Sequence, residues 1–211
     1  MDRVRSALAR RAGRDASRGR SASPVLAGVE GAPGAPVVAA LAYRGVSSRE
    51  LDLPVTRLAG RIGAGIVFVG PTTGRLPAVD PSRTIVVDTA AGDAAIPDVL
   101  VVPGGLGWQQ VIDDEGTHRW LARAAGGARG VLAMSTGSLL LAAVGHLNGR
   151  DAVGHWLADD QLRALGATVS DARSVADDGG RVVTASGAYA ALDVVDALAD
   201  HVRWSEWAPR A

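Results

Sequence analysis

The sequence contains no cysteine and no lysine. Without a thiol, disulfides, thiolate metal sites and cysteine catalysis are excluded. All 22 basic residues are arginine, a bias that a GC-rich genome explains without reference to function. They are matched by 22 aspartates and glutamates, for a formal net charge of +0. No global field is available to hold nucleic acid or an anionic membrane, so neither is an expected partner. Long apolar runs are missing as well. The longest candidate, residues 131–144, is interrupted by Ser135, Thr136, Gly137 and Ser138, and reads as a buried strand, a turn and a helix rather than a span. No histidine and carboxylate set has metal-ligand spacing. His118 and His146 read as surface and helix-end residues, and the expectation is no metal and no cofactor.

What is present suits one soluble domain with a tail. The chain has 211 residues, 47% hydrophobic and 21% charged, enough apolar content for a core. Residues 1–35 differ from the rest. Arg3, Arg5, Arg10, Arg11, Arg14, Arg18 and Arg20 crowd a stretch otherwise filled by Ser, Gly, Ala and Pro. That composition buries too little surface to fold, and it lacks the apolar stretch of a secretory signal. A basic arm for nucleic acid and a transit peptide are the alternatives. We read residues 1–35 as a disordered leader, with a short helix over 1–12 as a possibility, and residues 36–205 as the domain. A cytoplasmic location follows from the same reading.

From Pro36 onward, short apolar runs alternate with helical patterns. Residues 37–43, 65–69, 84–88, 98–102 and 130–134 read as strands rich in Val, Ile and Leu. Residues 49–60, 115–125, 137–144, 158–165 and 188–201 read as helices, several stopped by glycine. Residues 173–175 and 181–184 form a candidate hairpin across Asp177-Asp178-Gly179-Gly180. Alternating strands and helices predict a mostly parallel sheet covered on both faces. Ligands of such sheets bind beyond the carboxyl ends of the strands, which directs attention to Gly104-Gly105 and to Ser135.

At the first of these ends, Val102-Pro103-Gly104-Gly105 allows close backbone approach and an N–H donor for an oxyanion; a simple tight turn is the other reading. At the second, Met134-Ser135-Thr136-Gly137 runs strand, polar residue, helix start, the outline of a nucleophile elbow. The amide after the elbow residue can stabilise an oxyanion, and the helix start adds partial positive charge. The alternative is that Ser135 or Thr136 is an N-cap, and the generic G-x-S-x-G form is absent because position 133 is Ala.

The stretches "DVLVVPGGLG" at 98–107 and "MSTGSLLLAAVGHLNGRDAVGHW" at 134–156 resemble the ThiJ/PfpI superfamily, a class I glutamine amidotransferase-like group, in the branch of isonitrile hydratase and the sensor domains of AraC-type regulators. "GVSSRELDLP" at 45–54 and "GRVVTASGAYAALDVVDAL" at 180–198 are similar to its early and closing segments. The resemblance implies an α/β three-layer sandwich with a flavodoxin-like parallel sheet, a homodimer and a small-molecule ligand or substrate. It places Ser135 where the family carries its nucleophilic cysteine and Glu50 where this branch has an aspartate against that nucleophile. It brings His155 near the nucleophile, as a possible Ser–His partner or as a histidine packed beside Trp156. Gly104, Gly105, Thr136 and Gly137 would bind the ligand and its oxyanion. A serine needs a base where a thiol does not, so thiol-based chemistry does not transfer. Two readings stay open: a hydratase or hydrolase using Glu50 as acid/base, and a site that binds a small molecule without turnover. The stretch ending soon after Trp207 is too short for the helix-turn-helix of AraC-type regulators, so a standalone regulator is not expected.

Overall fold

Apolar side chains every second residue, or in unbroken runs, make the strands of this protein pair with both faces covered. The computed structural model describes residues 25–80 and 82–205. In chain order it contains β1 (Val25–Leu26), β2 (Val37–Leu41), α1 (Ser48–Ile62), β3 (Gly65–Gly70), β4 (Gly74–Pro77), β5 (Thr84–Val87), β6 (Thr89–Ala90), β7 (Val99–Val102), α2 (Trp108–Asp113) and α3 (Glu115–Gly127). There follow β8 (Gly130–Met134), α4 (Gly137–Ala143), β9 (Asp151–Ala152), α5 (Asp159–Ala164), β10 (Thr168–Val169), β11 (Ser174–Asp177), β12 (Val182–Ala185), α6 (Ala188–Leu192) and α7 (Val195–Ser205).

The main sheet has seven strands in the order β11-β12-β8-β7-β2-β3-β6. Every pairing in it is parallel except that of the edge strand β11 with β12. The central strands β7 and β8 are buried along their whole lengths. Helices flank the sheet: α1 packs with α6 and α7, while α3 packs with α2 and α4. This is the mixed α/β architecture with a mostly parallel sheet that the alternation of elements predicts. Trp120, expected on the apolar face of its helix, is fully buried and donates its indole N–H to the Ala95 carbonyl at 3.2 Å.

Two expectations change. The helix read over 188–201 is two helices, α6 and α7. The apolar periodicity continues across the break, but Asp193 N–H and Val194 N–H bond to carbonyls three residues back and close the first helix at Asp193. The strand read over 84–88 does form, yet not in the main sheet. It pairs with β1 in parallel and with β4 as an antiparallel hairpin, in a separate three-stranded sheet. Finally, residues 25–35 of the stretch read as a leader are described. Residues 1–24, including the possible helix at 1–12, lie outside the described residues, but β1 pairs with β5, and Val29 exchanges two backbone hydrogen bonds with Ile66 at 2.8 and 2.7 Å.

Candidate functional site

The turn after β8 is an elbow. Ser135 has φ 54, one of two non-glycine residues with positive φ among the described residues. Its N–H still bonds to the Ala185 carbonyl at 2.9 Å, continuing the ladder with β12, and α4 begins two residues later at Gly137. A left-handed conformation at a non-glycine residue costs about 1–3 kcal/mol and persists only where the surroundings hold it. Here the hold is close packing. A Cβ at Gly104 would lie 2.8 Å from the Ser135 Cβ and from the Thr136 nitrogen. The two loops at the ends of β7 and β8 can therefore meet only with glycine at 104. The Ser135 hydroxyl accepts and donates no hydrogen bond among the described residues.

Glu50 is buried, 7% exposed. Its position follows from a Ser47-x-x-Glu50 pattern, a capping-box signature at the start of α1. Half of the box forms: the Ser47 hydroxyl accepts from Glu50 N–H at 3.4 Å. The other half is diverted. Ser47 N–H donates to the Gly104 carbonyl at 2.8 Å, and Gly104 N–H donates to Glu50 Oε2 at 2.6 Å. A local capping motif thereby becomes a clamp between α1 and the loop after β7. Pro54 lies four residues on, inside α1, and has no N–H to return to the Glu50 carbonyl.

Burial pushes the Glu50 carboxyl pKa up, and the Gly104 N–H opposes that in part. A folded-state pKa above the unfolded value of 4.5 means that the protein gains stability from this group below that pH. The gain is lost as pH rises through the folded pKa. Glu50→Gln keeps an acceptor for Gly104 and removes the buried charge. It should melt at a higher temperature than the parent at about pH 8, with the gap closing toward about pH 4, where both side chains are neutral. Melting curves across pH check this; a gap that widens toward acid would contradict the assignment.

Ser135, Glu50, Gly105, Thr136 and His155 line one cavity of about 500 Å³. Among the described residues Glu50 is its sole carboxylate, and its apolar walls include Leu106, Trp108, Leu139 and Leu157. Composition alone did not pick out these apolar residues, which come from three separate segments. Glu50 and Ser135 both abut Gly104 but share no hydrogen bond. Gly137 is buried against the carbonyl of Val102 and stands behind the elbow rather than in the cavity lining.

Gly105 and His155 form contacts of their own. Gly105 N–H does not face the cavity as an open oxyanion donor. It is capped by the Thr136 hydroxyl at 2.9 Å, and the same hydroxyl donates to the Gly105 carbonyl at 3.2 Å. Of the two expected donors, only the Thr136 N–H is without a partner among the described residues. His155 lies at the cavity edge, but it forms no hydrogen bond to Ser135. Its Nδ1 accepts from Leu157 N–H at 3.2 Å, and its ring stacks on Trp156 at 5.8 Å between centroids. The segment before it is pinned from both sides: Val153 N–H donates to the Thr184 hydroxyl at 2.9 Å, and the Ser138 hydroxyl donates to the Val153 carbonyl at 2.7 Å. His118 and His146 are not in the cavity lining.

An open α/β sheet with an elbow residue and a buried carboxyl group at its carboxyl edge defines the class of protein. Residues 36–201 match the DJ-1/PfpI family, and the chain belongs to it. It is 38% identical over 114 residues to the isonitrile hydratase of Pseudomonas putida. That match covers 54% of this chain and 49% of the relative, so the chain spans about half of that protein's length. Among solved structures, a ThiJ/PfpI family protein from Pseudomonas syringae superposes with a TM-score of 0.69 at 29% identity, covering 84% of this chain and 77% of that one. A two-domain protein from Anabaena variabilis, with DJ-1/ThiJ/PfpI-like and ferritin-like domains, superposes with a TM-score of 0.73 at 20% identity. It covers 83% of this chain and 50% of that one, and shows the fold.

Proposed function

We propose that the protein is an isonitrile-hydratase-like hydratase or hydrolase of a small neutral molecule, with Ser135 standing where its relatives carry a nucleophilic cysteine. The observation that supports this is the elbow geometry of Ser135, opening on an apolar cavity whose one carboxyl group has a raised pKa. A carboxyl group with a pKa moved toward neutrality can give and take a proton at working pH. In a hydration, neutral Glu50 gives its proton to the substrate while water adds to the electrophilic carbon. The proton released from that water returns to the carboxylate, so Glu50 is regenerated. Ser135 positions the water or adds first as a weak nucleophile. The Thr136 N–H meets the developing negative charge, and His155 supports the cavity edge. No redox partner or metal is needed for this balance.

A second reading, a binding site without turnover in a sensor or accessory protein, is favoured by two facts. Thr136 occupies the Gly105 donor, and no base is hydrogen-bonded to Ser135. Purified protein incubated with a panel of isonitriles and other small electrophiles, with product analysis, separates the readings. Turnover that falls at least tenfold in Glu50→Gln is the expected result; saturable binding with no product would replace the enzyme by the sensor. The assembly that goes with either reading is a cytoplasmic homodimer. The exposed apolar side chains of Leu53, Val79 and Tyr189, which line one hollow beside the site, offer it a surface. Among the described residues no helix is long and apolar enough to cross a membrane.

A further inference from the structure

A second hollow lies at the carboxyl ends of β2 and β3, on the far side of the 104–108 loop from Ser135. Its volume is about 240 Å³. Arg44 and Arg75 line it, together with the hydroxyl-bearing Thr72 and Thr73 and the amide of Gln110, and among the described residues no carboxylate does. Acid accompanies most but not all arginines of this chain; Arg49, Arg123 and Arg203 also lack an ion-pair partner among the described residues. The chain's net charge is zero, and other surface arginines are held by aspartates: Arg57 by Asp196 at 2.7 Å, Arg83 by Asp52 at 3.0 Å and Arg181 by Asp178 at 2.7 Å. Neither Arg44 nor Arg75 has an ion-pair partner among the described residues. Two guanidinium groups around one concavity repel each other unless an anion sits between them. Arginine's planar fork of donors matches a phosphate or carboxylate, and hydroxyl and amide groups supply the remaining hydrogen bonds.

We propose that this hollow is a binding site for a small oxyanion, a phosphate or carboxylate group, held by Arg44 and Arg75. Size narrows the class. Pockets for drug-sized ligands run from about 300 Å³ upward, so this one takes the anionic head of a metabolite or the free ion. The site lies outside the cavity of the proposed reaction, and it stands if that reaction is wrong. Its position suggests what the anion would do. The main chain at Gly107 packs against the Arg44 carbonyl so closely that a side chain at 107 has no room. In the same loop, Gly105 and Leu106 face the Ser135 cavity. An anion bound by Arg44 thus braces the loop that carries the Gly104 and Gly105 amides.

The probes are inorganic phosphate and malonate, each titrated into the full chain at constant ionic strength, with chloride as the balancing ion. Calorimetry and melting temperature are the readouts, since a ligand of the folded state raises the latter in proportion to its occupancy. Saturable binding of at least one probe beyond chloride is expected, weakened at least tenfold by Arg44→Gln and by Arg75→Gln. Arg123→Gln, on an exposed face of α3 away from the hollow, should leave it unchanged. A response to phosphate alone identifies a phosphate site, and a response to malonate alone a carboxylate site. Both substitutions are at exposed residues, and their unliganded melting temperatures establish that they fold. No saturation with either probe, or saturation that survives both substitutions, overturns the proposal.

Discussion

Ser135→Cys should produce a thiol that reacts with iodoacetamide at neutral pH much faster than an ordinary exposed cysteine, with an apparent pKa below roughly 7.5 against about 8.5 for a free thiol. The exchange is nearly isosteric, so the fold should accept it. Three features act on the new sulfur. The first is the Thr136 N–H, at the N-cap of α4, which has no partner among the described residues. The second is the start of this short helix: Ser138 N–H and Leu139 N–H are already bonded to the Ser135 and Thr136 carbonyls at 3.3 and 3.1 Å, and the Gly137 N–H has no partner among the described residues. The third is Glu50, which burial keeps toward its protonated form. A neutral carboxylic acid beside a thiolate donates a hydrogen bond to it, whereas a carboxylate would repel it. The double variant Ser135→Cys, Glu50→Gln should therefore show a higher thiol pKa than Ser135→Cys alone, because an amide is a weaker donor than a carboxylic acid. The rate of alkylation across pH gives both values. The thiol and carboxyl titrate as a pair, so the measured values belong to the pair. A pKa near 8.5 that ignores Glu50 would mean that the cavity no longer supports a nucleophile, and the binding-only reading would take precedence.

Gly137→Ala should be among the most destabilising single-methyl additions in the protein. A Cβ there would collide with the Val102 carbonyl oxygen and lie 2.8 Å from the Pro103 carbonyl. Both obstacles are main chain at the end of a central, fully buried strand, and neither can swing aside as a side chain can. Overpacking of a tight core costs about 1–3 kcal/mol and occasionally more; collision with two consecutive main-chain carbonyls places this variant at or above the upper end. For a chain of this size that is a fall in melting temperature of roughly 6–12 °C. Gly60→Ala is the matched control. Gly60 lies inside α1, on its exposed face, and a Cβ there meets nothing within 4 Å. Helix propensity alone should then raise stability by about 0.5–1 kcal/mol. Thermal denaturation of the two variants measures the difference. Equal effects would show that the α4 start is not packed against β7 as described.

Much of this protein was legible before any coordinates. The strand at 130–134, the polar turn and the helix start at 137 were read with their observed boundaries, because each is a local property. A buried run of apolar residues can only be a central strand here, and glycine marks the turn after it. The capping pattern at Ser47 and Glu50 was equally local and would have placed Glu50 at the third position of a helix. The hairpin of β11 and β12 was visible from its turn residues. By contrast, the break at Asp193 was hidden, because apolar periodicity continues through it and the pattern cannot see two extra i to i−3 bonds.

The sequence by itself determined the sheet-and-helix order, the location of the elbow and the absence of thiol and global charge, since all of these depend on residues close together or on sums over the chain. Tertiary structure alone decided what the polar groups do. Glu50 bonds across 54 residues to Gly104, and Thr136 across 31 residues to Gly105. Those contacts clamp the buried Glu50 to the loop after β7, and close a donor that the motif left open. The same holds for residues 25–35, whose composition resembles a tail but whose backbone finds partners on β5 and β3. A hydrogen bond is set by which segments the fold brings within 3 Å of each other, and that distance is written in the packing of the whole domain rather than in any window of its sequence.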